Sequence, residues 1–394
     1  MPVLNANVLT APGGYVGVKS DGVLPIAAAT FNATYMIVDS TAGADRIRIP
    51  TQVTSAEDFE NIFGRSGSLN SVKMHFANLP NAILYIVKLS QSDGVSGLTL
   101  GDFINAIQNS FNEEMPAGFL ICPEAFQTLT TQADRTAVAT ALENEAAELN
   151  WFAIADSGPP AIINTTPEAR TEALLYTTPQ GHLAYYFPYL EDLDDNLVPP
   201  SAAVTAIAIR RYQLEGFNQP PAGTRFAVRG VKDVAVRVTK AQQAVLNPLG
   251  INVIRNLFNQ GVVVWGSRTR SADPFWRFMH TRIIVNVVAL TLKTAFDSLV
   301  FSVVDGKGLL YARIRETAEA MLYTLWDGGA LAGSTPAQGF AVICDDSVNL
   351  PAELEQGIVR LQIYVAPVAV AERILIEVTR VSIGAVQVSA NRAA

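Results

Sequence analysis

Between residues 102 and 212, short apolar runs alternate with longer helix-like ones, and this alternation constrains the fold more than any other feature. Strand-like runs fill 118–122 (GFLIC), 151–155 (WFAIA) and 182–187 (HLAYYF). Helical patterns cover 103–111, 132–149, 168–176 and 201–212. A parallel neighbour needs a crossover long enough to hold a helix, so this order predicts a parallel or mixed sheet covered by helices. Upstream, 34–39 (TYMIVD) and 82–89 (AILYIVKL) add two strands. Between them, Ser55 reads as a helix N-cap with Asp58 three positions on, and Gly64 as the stop.

Downstream the pattern becomes segregated. A strand at 261–265 precedes a long helix from about 276 to 302 and a second at 309–326, which Gly328-Gly329 ends. Strand candidates follow at 340–344, 358–365 and 373–380. Both termini read as arms. Residues 1–25 are rich in Gly, Pro, Ala and Val and allow one short strand around Tyr15, Val16 and Val18. The last residues alternate again at Val386 and Val388. An isolated strand leaves its N–H and C=O groups unpaired, and a sheet edge on another subunit can satisfy them. The expected class is α/β, α+β overall, divided into an arm (1–25), an α/β region (26–245), a C-terminal α+β domain (246–380) and a second arm (381–394).

Composition points to self-association. Hydrophobic residues make up 49% and charged residues 16% of the 394, against about 25% charged in a typical globular chain. The deficit suggests that much of the subunit's surface is buried against copies of itself. No run approaches the ~20 apolar residues of a membrane span; the longest, 283–292, ends at Lys293. The N-terminus lacks a basic region followed by an apolar core, so no signal peptide and no membrane insertion are expected. Cys122 and Cys344 lie in FLIC and FAVIC and read as buried small hydrophobes in a reducing compartment, so folding in bacterial cytoplasm is expected. Residues 102–195 hold two basic and fifteen acidic residues, whereas 196–394 hold twenty and fourteen. Such asymmetry suggests two surfaces meeting different environments. The basic residues are scattered and not interleaved with aromatics, so nucleic acid is not an expected partner.

The inventory for chemistry is thin. The three histidines, His75, His182 and His280, accompany neither a Gly-x-Ser-x-Gly elbow nor a His-Glu-x-x-His pair. A hydrolase would need a triad assembled in space around His182 or His280. Gly13-Gly14 and Gly328-Gly329 precede no Walker-type Lys-Ser/Thr, and no paired Cys/His spacing suggests a metal. Asp192, Asp194 and Asp195 in LEDLDDN lack the glycine and distal glutamate of an EF-hand and read as a solvated acidic turn. No catalytic, cofactor-binding or metal residue is expected.

The run 247–282, NPLGINVIRNLFNQGVVVWGSRTRSADPFWRFMHTR, resembles the signature of contractile tail sheath proteins, found in myophage tails, R-type pyocins and related injection systems. The matching residues are Gly250-Ile251-Asn252, Arg255, the strand through Trp265, Gly266, Arg268 and Thr269, then Asp273-Pro274, Trp276-Arg277 and Arg282. Further matches follow in family order: Ala11 to Val16, Pro50 to Gly64, Tyr185 to Pro188, Pro199-Pro200-Ser201, Gly216 to Pro221, and Gly329, Gly339 and Gly357 with their apolar followers. Ala202-Ala203 departs from the family's Gly-His at a local turn. The resemblance implies a helical homopolymer around an inner tail tube protein, with baseplate and tail terminator proteins as further partners. It implies an acidic α/β domain outside and a basic C-terminal domain facing the tube. Arms inserted into a neighbour's C-terminal domain would knit the lattice during contraction. Lys293, Arg313, Arg315, Glu316 and Glu319 are its tube-attachment candidates. All sheath parts lie in one chain, unlike type VI secretion sheaths. A static tube or virion protein is the main alternative, and an α/β hydrolase the second.

Overall fold

A computed structural model describes residues 28–89, 98–373 and 375. The arm residues Tyr15, Val16, Val18, Val386 and Val388 lie outside the described residues, as does most of the strand expected at 373–380. The first half runs β1 (Ala33–Val38), β2 (Thr51–Val53), α1 (Ala56–Phe63), α2 (Leu69–Asn78), β3 (Ile83–Lys88), α3 (Leu100–Gln108), β4 (Gly118–Ile121), α4 (Pro123–Thr128), α5 (Gln132–Glu148), β5 (Phe152–Asp156), α6 (Thr166–Ala173) and β6 (Leu183–Phe187). Every residue of β1, β4, β5 and β6 is buried. That is why these strands read as continuous apolar runs: a parallel sheet covered on both faces has no polar side.

The chain continues through β7 (Leu190–Asp192), β8 (Leu197–Val198), α7 (Ser201–Glu215), β9 (Val231–Val234), α8 (Lys240–Leu246), β10 (Ile251–Leu257) and β11 (Gly261–Val264). Eight strands form one mixed sheet in the order β11-β10-β6-β5-β4-β1-β3-β2. The six from β3 to β10 are parallel, and β2 and β11 close the two edges antiparallel. The helix pair α2–α7 covers one face and α3–α5 the other. Strands β8, β7 and β9 make a small separate sheet.

Then come α9 (Met279–Phe296), α10 (Leu309–Asp327), β12 (Phe340–Ile343) and β13 (Gln362–Val365). Helix α9 joins two cores. Its Met279, Ile283 and Val287 pack into the core of the large sheet. Its Ile284, Val288 and Leu292 pack with Ala318, Met321, Leu322 and Leu325 of α10 in a second core. Strands β12 and β13 pair antiparallel over that second core through Phe340, Val342, Ile363 and Val365.

The expected α/β class holds, with corrections of detail. The division expected at 245/246 runs beside the large sheet: β10 pairs with β6 and β11 with β10, so residues 251–264 belong to the α/β layer. The helix expected from 276 to 302 is α9, flanked by 3-10 turns at Pro274–Trp276 and Asp297–Leu299. The acidic segment is less a surface than its count implied. Five of its fifteen carboxylates, Glu124, Glu143, Glu145, Asp156 and Glu172, are buried. Burial pushes Glu143, Glu145 and Asp156 each up to about 7, against the hydrogen bonds that Thr178 gives Glu143 and Ser201 gives Asp156.

Candidate functional site

The signature run folds into one joint between the large sheet and α9. Gly250 turns the chain with φ +71, and a Cβ there would overlap the carbonyl oxygen of Thr269. Asn252, fully buried, donates from Nδ2 to the carbonyls of Tyr185 (3.1 Å) and Arg268 (2.7 Å) and accepts from the Arg268 N–H (2.7 Å). It thus ties β6, β10 and the segment after β11 together. Gly266 allows the approach, since a Cβ would sit 2.8 Å from Asn252 Oδ1. Arg255 donates to Gln243 of α8 (3.1 Å), and Gln243 donates to the Trp265 carbonyl (2.7 Å). The Thr269 hydroxyl donates to the Trp276 carbonyl (2.5 Å), and the Thr269 N–H to that of Arg277 (2.9 Å). The Arg282 guanidinium lies 4.1 Å from the Trp276 ring centroid, and burial lowers its pKa to about 10. The Arg277 side chain is exposed. These motif residues are joinery.

Pro199, Pro200 and Ser201 are buried at the start of α7. The Asp156 carboxylate at the end of β5 caps that helix, accepting from the Ser201 N–H (2.7 Å) and hydroxyl (2.6 Å). Ala202 and Ala203, where the family has Gly-His, lie fully buried in the first turn. In doubly wound sheets, ligands bind outside the carboxyl ends of strands where the winding reverses. Here that point lies between β1 and β4, and it is filled by buried Asp39, Ser40, Ser68, Lys88 and Glu124. Lys88 donates to the backbone and hydroxyl oxygens of Ser40, and Ser68 donates to Glu124 at 2.6 Å. Sequence reading did not single out this cluster, whose members are scattered from position 39 to position 124.

The histidines are buried, and among the described residues none hydrogen-bonds a carboxylate. His75 meets Thr34 (3.0 Å), His182 the Trp151 carbonyl (2.9 Å) and His280 the Val368 carbonyl (3.0 Å). Burial lowers His75 to about 3 and His182 to about 4, the latter with help from Arg282. Both cysteines are buried and free. The acidic turn at Asp192 closes on itself, with Oδ1 accepting from the N–H groups of Asp194 (2.9 Å) and Asn196 (2.8 Å). Among the described residues no His/Cys/Asp/Glu group could hold a metal ion, and no helix is long and apolar enough to cross a membrane.

Of the tube-attachment candidates, Lys293 on α9 and Arg313 and Glu316 on α10 are exposed, while Arg315 and Glu319 are half-buried. Arg315 lies near Asp345, whose carboxyl is held below the usual range first by Ser347 and then by Arg315. Among the described residues, none of the five forms an ion pair. The loop between α9 and α10 exposes Val300, Phe301 and Val303, and Leu309 follows at the start of α10. The β12–β13 ladder joins only these two strands, and the Phe340 N–H also donates to the Pro336 carbonyl at the end of the short helical turn before β12.

A helix-covered eight-stranded sheet is thus braced to a small two-stranded one, and the described motif residues join the two. Residues 94–270 match the family model of the phage tail sheath protein central domain. Over 195 residues the chain is 24% identical to the tail sheath protein of Vibrio phage KVP40, covering 49% of this chain and 28% of that relative's length. The fold is similar to the contracted helical sheath of the anti-feeding prophage (27% identity, TM-score 0.71, 95% of this chain and 100% of that one). It is equally similar to a chain of the anti-feeding prophage baseplate structure (26%, TM-score 0.72, 95% and 100%). A sheath tail protein from Listeria innocua shares the fold at 11% identity (TM-score 0.57, 82% and 90%). The chain thus carries a phage tail sheath central domain over residues 94–270 and is similar in fold to contractile sheath proteins over almost its whole length.

Proposed function

We propose that this chain polymerises helically around an inner tail tube in a phage tail or phage-tail-like particle, and contracts to drive the tube through a target envelope. The observation that carries the reading is the likeness to a contracted helical sheath over 95% of the chain. The β12–β13 pair supports it, because a two-stranded sheet is marginal alone and its edges are templates for added strands. Strands from the 1–25 and 381–394 arms of neighbouring copies would complete it. The basic and acidic residues on α9 and α10 suit a polar, reversible contact with the tube, with α10 the preferred face. Exposed pairs of this kind contribute only about 0–1 kcal/mol each. Repetition along the tube adds them up while each stays easy to break.

The same chain would pack in two lattices, a metastable extended one and a lower-energy contracted one. Free energy stored at assembly then drives contraction without a nucleotide or any other cofactor. Catalysis has no part in this account. Baseplate and terminator proteins would bound the polymer, which assembles in the bacterial cytoplasm without nucleic acid. Negative-stain microscopy of the purified full chain tests the reading: striated tubes are expected, and smooth rings or persistent monomers would contradict it.

A further inference from the structure

We infer that Arg268 and Glu372 form a positioning clamp that fixes where residues 373–394 leave the body, so that the C-terminal arm reaches its neighbour from a set origin. This rests on the strand-exchange reading above. Residues 366–372 run as a strap from the small sheet to the large one. The Ala366 N–H donates to Gly339 O (2.8 Å) and the Val368 N–H to Ala330 O (3.1 Å). The Val368 carbonyl accepts from His280 Nε2 (3.0 Å), so that nitrogen carries the proton, and Nδ1 is a buried acceptor without a partner among the described residues. At the end of the strap, Glu372 accepts two hydrogen bonds from Arg268, from Nε (2.9 Å) and from Nη2, and a longer one from Asn247 (3.5 Å).

The pair is built as a clamp from both sides. The Arg268 side chain is 9% exposed, its guanidinium lies 5.5 Å from the Phe278 ring centroid, and Asn252 fixes its backbone. Its counter-charge comes from 104 positions further along the chain and not from the surrounding sheet. Glu372 is exposed as a residue, yet its carboxylate turns inward and its side chain is 22% exposed. Burial works against its ionisation, but the bonds from Arg268 and Asn247 prevail and hold it below the usual carboxylate range. A bidentate fork of this kind fixes direction as well as distance, which a single hydrogen bond does not. The family arginine of the signature thus acts on the arm, through Glu372.

The test uses full-length protein carrying Glu372→Gln or Glu372→Asp, with deletion of 382–394 as a control. Glu372→Gln should keep the wild-type melting profile but lower sedimentable tube yield by about tenfold, the scale of one lost charge-assisted bond. Glu372→Asp, which keeps the charge on a shorter arm, should fall between. Wild-type yield from Glu372→Gln would overturn the clamp, as would a yield loss matched by a lowered melting temperature, which marks a merely structural role. Normal tubes from the deletion control would instead overturn strand exchange itself.

Discussion

Asn252 and Arg268 close a ring of two 2.7 Å hydrogen bonds, the Asn252 amide giving one to the Arg268 carbonyl and taking one from its N–H. The side chain copies what a neighbouring strand would do, and so continues the sheet past the end of β11. A third bond, to the Tyr185 carbonyl, ties this extension to β6.

Asn252→Ala should therefore orphan the buried Arg268 N–H and carbonyl and remove a further bond to the Tyr185 carbonyl. At about 1–3 kcal/mol for each unsatisfied group, partly relieved by water, the loss should be on the order of 2–4 kcal/mol. Urea unfolding of the monomeric body reads it directly; a change under about 0.5 kcal/mol, the range of an ordinary surface substitution, would refute the role.

Gly250→Ala should be comparably harmful. The left-handed conformation alone costs about 1–2 kcal/mol for a residue with a Cβ, and the added carbon overlaps the Thr269 carbonyl. A melting temperature equal to wild type would show that the turn tolerates another conformation.

The signature was legible as a motif, but its mechanics were not. Nothing in Gly-Ile-Asn says that the asparagine pairs with a backbone sixteen positions on, and β10 was hidden as a strand because Asn252 and Arg255 break its apolar pattern. Helix α2 was missed for a related reason: its buried face carries Ser71, His75 and Asn78 beside Val72 and Met74, which blurs the 3.6-residue period. Where local chemistry sufficed, the reading was sound. Ser55 caps α1 through the Asp58 N–H at 3.0 Å, and Gly64 ends it at φ 68. The acidic segment misled because composition cannot tell a surface carboxylate from one folded inward, as Glu143 and Asp156 are.

Those inward carboxyls predict a pH dependence. Glu143 has a folded-state value of about 7, above the unfolded carboxylate range. Its contribution is fully present below about pH 4 and is lost as pH rises through about 7. The body should thus lose stability from about pH 5 to about pH 8, and Glu143→Gln should lose less. Denaturation at both pH values decides it, and equal slopes for the two proteins would contradict the assignment.

Reversing charge at Lys293 and Arg313 should leave the monomer folded, because both side chains are exposed and make no ion pair among the described residues. Assembly around a tube should suffer, giving few sheaths or sheaths already contracted. Normal extended sheath–tube particles from the double variant would remove these residues from the attachment surface.

The central claim is that β12–β13 is an incomplete sheet finished by neighbours. A cryo-EM map of the polymer measures this directly at residues 340–343 and 362–365. The account predicts at least one further strand, traced to another chain's arm and hydrogen-bonded to an outer edge of that pair. A polymer in which both edges remain unpaired, or are covered by the subunit's own chain, would contradict it.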